Sequence, residues 1–153
     1  MLPIKKIICT TDFSDASFAA LQAAEELARQ YDAEIILTHI VAPIPALGTP
    51  HHSGPASFDV PAYQEEFVEN TRSGLKTLAD ERFESDIRVR THVSVGYPAD
   101  EVSDLASTES ADLIVIATHG HTGFQRLLLG SVTERVIRFA PCPVLSVRSP
   151  SGE

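Results

Sequence analysis

Leu113-Ile114-Val115-Ile116-Ala117 is a continuous apolar run set between polar residues, and together with the glycine-bearing segment after it constrains the fold more than any other stretch. An uninterrupted run of this length suits a strand buried on both faces, as in a parallel sheet with helices above and below. Thr118-His119-Gly120-His121-Thr122-Gly123 comes next, small, polar and glycine-bearing. Gly130-Ser131 then precedes Val132, Val136 and Phe139, which recur on a helical period. Glycines between a buried strand and a helix let main-chain N–H groups approach a ligand, and a helix N-terminus favours negative charge. The layout is that of a phosphate site.

The rest of the chain alternates strand and helix. Ile4 to Cys9 reads as a strand, and Thr10 to Asp15 as a polar turn in which Ser14 or Asp15 caps a helix. Ala20, Ala24, Leu27 and Ala28, with Ala23 beside them, give that helix a small-residue face. Ala33 to Val41 is a second strand. Residues 42–61 carry Pro43, Pro45, Pro50, Pro55 and Pro61 with Gly48 and Gly54, a density that excludes helix and central strand. A flexible surface loop is expected there, with Pro61 in the first turn of the next helix. Phe67, Val68, Thr71, Leu75, Leu78 and Phe83 set that helix's spacing. Ile87 to Val95 alternates, apolar at odd positions, as an edge strand with one wet face does. Gly96-Tyr97-Pro98-Ala99 leads into a helix bearing Val102, Leu105 and Ala106, and Pro143 to Val147 closes as a fifth strand.

Five strands separated by helices predict an α/β fold, a doubly wound five-stranded parallel sheet with helices on both faces. A single domain over residues 1–148 is expected, with 149–153 a loose C-terminal tail. In such sheets ligands sit beyond the carboxyl ends of the strands, where the strand order reverses. That rule selects the loops after Cys9, Val41, Val95 and Ala117.

Composition excludes several function classes. The formal charge of −9 makes nucleic acid and anionic membranes poor partners, so a bound phosphate must be held by local geometry. The two cysteines, Cys9 and Cys142, lie in or beside apolar runs and form neither a metal cluster nor a disulfide framework. Both read as core thiols in a reducing compartment. No apolar run approaches the about 20 residues that span a bilayer, and nothing at the N-terminus resembles a signal peptide, so a cytoplasmic location is expected.

ATHGHTGFQRLLLGSVTERV, followed by APCPVLSV, resembles the C-terminal signature of the universal stress protein family. The likeness extends to KKIICTTDFSDAS, to His39-Ile40-Val41 and to Gly96-Tyr97-Pro98-Ala99, covering the chain except the proline-rich loop. It implies a sheet of strand order 3-2-1-4-5, like that of the adenine nucleotide alpha hydrolases. It also implies a homodimer formed largely through the last strand, Pro143, Val144, Leu145, Ser146 and Val147. Members with the motif Gly, two residues, Gly, nine residues, then Gly followed by Ser or Thr bind ATP. Here Gly120, nine residues and Gly130-Ser131 match, and Ala117 stands at the first glycine. Binding is expected to survive if that position is strand-like and its methyl points away from the nucleotide. By the same resemblance Thr11 and Asp12 lie beside the nucleoside and Ile40 presents its main chain to adenine. The candidate site is thus Thr10, Thr11, Asp12, Ile40, Gly96, Ala117, His119, Gly120, Gly123, Gly130, Ser131 and Val132.

Its chemistry can be argued from the residues. Lysine occurs only at Lys5, Lys6 and Lys76, and there is no GxxxxGK[ST] loop, so no site lysine neutralises a phosphate. Backbone donors at Gly120, Gly130, Ser131 and Val132, the Ser131 hydroxyl and a helix dipole remain. His119, His121 and Arg126 are the nearest cationic side chains, and Mg²⁺ bridging the phosphates could supply the missing charge. Asp12 could accept from ribose hydroxyls or hold that ion through water.

Blander roles compete. Gly120 and Gly123 alone suit a simple turn, and Asp12 a helix cap. His119 and His121 lack a third ligand nearby in sequence, and His51-His52 falls in the proline-rich loop, so solvation is the simpler role for all four. His39 suits a hydrogen-bonded core residue, and Leu127-Leu128-Leu129 core or dimer packing. Three functions are compatible with these features: an ATP-binding homodimeric stress-response regulator with a regulatory protein partner, a slow ATPase or phosphotransferase, or a nucleotide-free dimeric adaptor. No residue is an evident general base for the γ-phosphate, which favours the first.

Overall fold

The computed structural model describes residues 3–45, 59–118 and 130–148. Most of the 42–61 loop and all of the 149–153 tail lie outside the described residues. The elements are β1 (Lys6–Thr10), α1 (Asp15–Tyr31), β2 (Glu34–Val41), α2 (Val60–Arg82), β3 (Val89–Val95), α3 (Pro98–Glu109), β4 (Leu113–Ala117), α4 (Ser131–Phe139) and β5 (Val144–Val147). The sheet has five strands in the order β3-β2-β1-β4-β5, every pairing parallel. The order reverses at β1, which pairs with β2 on one side and β4 on the other.

Side-chain alternation divides the core into two layers. Ile7, Cys9, Ile35, Leu37, Leu113 and Val115 face α1 and α2, where Ala20, Ala24, Ala28, Leu75 and Leu78 meet them. Ile8, Ile36, Ile114 and Ile116 face α3 and α4, against Ala99, Val102, Leu105 and Val136. Ile7, Ile8, Ile35, Ile36, Leu37, Ile114 and Val115 have no exposed surface, so each contributes close to the full ~1.5–3 kcal/mol of a buried aliphatic side chain. This explains why the three central strands read as continuous apolar runs.

The helices follow their signals with some differences. Ser17, Ala20, Leu21, Ala24 and Ala28 form the buried face of α1. Leu21 takes the place expected for Leu27, which only flanks the core. Ser14 stands at the N-cap without a side-chain cap bond, because its hydroxyl is engaged by Asp12. Asp59 caps α2 by accepting from the Ala62 amide at 3.1 Å, and Pro61 lies in the first turn as expected. In α4, Thr133 and Val136 are the buried residues, while Val132 and Phe139 are exposed. The face centres between Thr133, Val136 and Ala140, which leaves Val132 and Phe139 on its rim.

At the amino ends of the strands, Asp112 accepts from the Lys5 and Lys6 amides, and Glu109 pairs with Lys6 Nζ at 3.0 Å and Arg90 at 2.7 Å. Two of the three lysines are therefore committed to the pole opposite the loops that follow the strands. Cys9 is fully buried and Cys142 half-buried, both as thiols, and burial raises the pKa of each.

Candidate functional site

Where β1, β2 and β4 end, a cavity of about 390 Å³ opens between the β1–α1 turn and the amino ends of α3 and α4. Its first wall is the turn itself. The Thr11 amide donates to the Thr38 carbonyl at 3.0 Å, which continues the β1–β2 ladder one residue past the strand. The Thr11 and Ser17 hydroxyls bond each other at 2.8 Å, and Thr11 Oγ1 also accepts from the Phe13 amide at 3.0 Å. Asp12 Oδ1 accepts from the Ser14 amide at 3.0 Å and from the Ser14 hydroxyl. These bonds hold Phe13 at φ 64°, a left-handed conformation that a bulky residue adopts only when its surroundings enforce it. The Phe13 ring packs on His39 with centroids 4.9 Å apart. His39 Nδ1 lies 2.8 Å from the Thr11 carbonyl; since a carbonyl only accepts, that nitrogen carries the proton.

The opposite wall is the start of α4. Gly130, Ser131, Val132 and Thr133 line the cavity. The first intrahelical bond runs from the Glu134 amide to the Gly130 carbonyl at 2.9 Å, and Gly130 gives no side-chain cap. The Ser131, Val132 and Thr133 amides are the donors that every helix leaves without an intrahelical acceptor in its first turn. Together with the helix dipole they make a positive end without a cation. Gly130 has φ −70°, so the turn does not require a glycine by conformation. The constraint is one of proximity: a Cβ would stand 3.1 Å from the Thr118 carbonyl oxygen, close enough that the two backbones must give by a few tenths of an ångström. Thr133 Oγ1 donates to the Ala117 carbonyl at 2.9 Å, tying the helix to the end of β4. Ala117 is the last residue of that strand and packs against the α1-side layer.

The structure brings Thr10, Thr11, Asp12, Ile40, Ala117, Gly130, Ser131 and Val132 to the one cavity. Gly96 is not among its lining residues: its amide donates to the Val41 carbonyl at 3.0 Å, and a Cβ there would collide with the Glu101 side chain. Pro98 and Val102, from the helix that Gly96 introduces, reach the cavity instead. His119, Gly120 and Gly123 lie outside the described residues, as do His51, His52, His121, Arg126 and Leu127 to Leu129. Ser17 and Thr38 line the cavity although no sequence motif singles them out, and His39 does so as well as making its core hydrogen bond. Thr38 was legible, as a hydroxyl between Ile36 and Ile40 where the alternation of a buried strand asks for a third aliphatic residue.

Asp12 is the one carboxylate among the described lining residues, and no lysine or arginine accompanies it there. Among the described residues no cluster of three His, Cys, Asp or Glu side chains could hold a metal by itself. No described helix is long and apolar enough to cross a membrane.

Comparison with known proteins places this geometry. The model of the universal stress protein family matches residues 3–148. Universal stress protein MJ0531 of Methanocaldococcus jannaschii is 38% identical, over 97% of this chain and 85% of the relative. Among solved structures, protein MJ0577, also of Methanocaldococcus jannaschii, superposes with a TM-score of 0.80 at 27% identity, covering 97% of this chain and 99% of that one. A universal stress protein in complex with cAMP shares the fold, with a TM-score of 0.65 at 23% identity over 95% of this chain and 97% of that one.

Proposed function

The chain belongs to the universal stress protein family, and from that premise we propose that it is an ATP-binding regulatory protein. The nucleotide occupies the cavity at the carboxyl ends of β1, β2 and β4. One observation carries the reading: the first turn of α4 lines the same cavity as Asp12 and Ile40, with no lysine or arginine among the described lining residues. Backbone donors at a helix start suit phosphate oxygens. A carboxylate suits ribose hydroxyls and is wrong for a phosphate, which assigns the polyphosphate to the α4 wall and the nucleoside to the β1–β2 side. His119, Gly120 and Gly123, between β4 and α4 in sequence, belong to the phosphate side of this reading.

Ala117 at the motif's first glycine is compatible with it. The residue sits in a strand and its methyl packs against the α1-side layer, so the Gly130 and Ser131 backbone keeps its approach to a ligand. Mg²⁺, arriving as the counter-ion of the nucleotide, would take its ligands from phosphate oxygens, and Asp12, the cavity's described carboxylate, would reach it through water. The functional unit in this proposal is a homodimer joined at β5, and nucleotide occupancy regulates contact with a protein partner.

The test is to denature the purified protein and chromatograph what it releases, then to titrate nucleotide-free protein with ATP, ADP and adenosine, with and without Mg²⁺. Co-purifying ATP, or affinity in the order ATP over adenosine, supports the reading. Binding of none of these ligands removes it.

A further inference from the structure

On the α3 side of the sheet, β2 presents Ile36, Thr38 and Ile40, and the strand register sets Thr10 and His92 on either side of Thr38. Thr38 is fully buried, yet it lines the cavity. Its Oγ1 has no hydrogen-bond partner among the described residues. A buried hydroxyl without a partner costs free energy that an isosteric valine would not. No described residue supplies that partner, and a molecule bound in the cavity that Thr38 lines can.

We propose that Thr38 is a specificity-determining residue whose hydroxyl hydrogen-bonds the polar edge of the nucleotide's base. This rests on the nucleotide reading given above and assigns a contact within it. The base is the matching part of the ligand for two reasons. Thr38 lies on β2, separated by the whole of β1 from β4 and the α4 donors that suit phosphates. On its side of the cavity the lining includes Ile40, two residues on along β2, and Val102 of α3, apolar surface that fits the faces of a planar ring. A hydroxyl both donates and accepts, so it serves either a ring nitrogen or an exocyclic amine. Ser94 Oγ, the other buried hydroxyl without a partner among the described residues, shares this sheet face but does not line the cavity. Thr38 alone of the two is placed to meet a ligand.

The experiment compares wild type, Thr38→Val and Thr38→Ser by thermal unfolding without nucleotide and by calorimetry with ATP and adenosine. Thr38→Val keeps the side-chain shape and removes the hydroxyl. Its melting temperature is expected to hold or rise, while ATP and adenosine both weaken by the same factor, roughly three- to tenfold. Thr38→Ser, which keeps the hydroxyl, is expected to bind both within about twofold of wild type. Three results overturn the inference: unchanged adenosine affinity in Thr38→Val, a loss confined to ATP, or a clear fall in melting temperature, which would give the hydroxyl a partner within the fold. A wild type that binds neither ligand overturns the nucleotide reading itself, and this assignment with it. A wild type that binds both, matched by Thr38→Val, overturns the assignment alone.

Discussion

Gly130 donates its amide to the Thr118 carbonyl at 2.9 Å, and a Cβ on Gly130 would lie 3.1 Å from that same oxygen. The bond seats the start of α4 on the end of β4, and the closeness of the two backbones leaves no room for a side chain without a shift. The Thr118 amide in turn donates to the Val147 carbonyl at 2.9 Å, so the cavity wall and the edge strand β5 are joined through one residue.

Substitution at Gly130 should therefore act by displacement, since φ −70° suits any residue. Gly130→Val is expected to weaken ATP roughly tenfold or more, about 1.4 kcal/mol at the least, with adenosine within about twofold. Ser131→Ala should cost about 0.5–1.5 kcal/mol toward ATP, the worth of one hydroxyl donor. Calorimetry on variants with wild-type circular dichroism decides it. Equal losses for ATP and adenosine would mean that this wall shapes the whole pocket, and wild-type ATP affinity in Gly130→Val would put the phosphates elsewhere.

Asp12 has a structural duty as well as a place in the cavity, because it accepts from the Ser14 amide and hydroxyl. Asp12→Ala should lower stability by about 1–2 kcal/mol in urea unfolding. Asp12→Asn retains an acceptor for Ser14 and should stay within about 0.5 kcal/mol. If the carboxylate meets ribose or a hydrated Mg²⁺, both variants weaken ATP. Wild-type affinity in both variants would confine Asp12 to shaping the turn.

Glu109 gives the stability a defined acid limb. Its hydrogen bonds to Arg90 and then to Lys6 hold its pKa down, from 4.5 to about 2. A pKa depressed on folding stabilises the native state above the unfolded value and loses that effect as pH falls through the folded one. The window is therefore from about 4.5 down to about 2. Its side chain is 23% exposed, so solvent screens the pair and the contribution is about 1 kcal/mol rather than the full linkage value. Wild type should exceed Glu109→Gln by that amount at pH 7 in urea unfolding, and the gap should close toward pH 2. A constant gap would mean that packing, not charge, sets it.

The two edges of the sheet differ in how they meet a second chain. β3 carries Arg90 and His92, the kind of polar edge that discourages pairing, whereas β5 is uncharged and shows Leu145 to solvent. Pairing through β5 should give a dimer at micromolar concentration by sedimentation velocity, and Leu145→Lys should shift it toward monomer. A monomeric wild type would remove this assembly from the proposed function.

The elements legible in the sequence are those whose signal is local and repeated. The apolar runs of β1, β2 and β4 announce burial on both faces, and Pro61 and Pro98 mark helix starts because a proline needs no amide acceptor there. Phe139 was not legible: its helical spacing is compatible with several rotations, and only packing on the sheet chose the one that buries Thr133 and Val136. Gly96 and Thr38 diverge for a related reason. A turn glycine beside a strand end looks like a ligand contact until Glu101 is seen to occupy its space. The strand's alternation marks Thr38 as out of pattern, but only the packed structure shows that its hydroxyl has no partner among the described residues and that the residue lines the cavity.

By itself the sequence determined the alternation of strands and helices, the parallel sheet and the candidate loops, because periodicity and turn chemistry act over a few residues. The tertiary structure decided which of those loops converge. Convergence depends on β1 lying between β2 and β4, which brings residues distant in sequence, Asp12 and Gly130 among them, around one cavity. It also supplied a reason for a small residue at Gly130. That reason is the distance to a carbonyl oxygen on another segment, which no local pattern records.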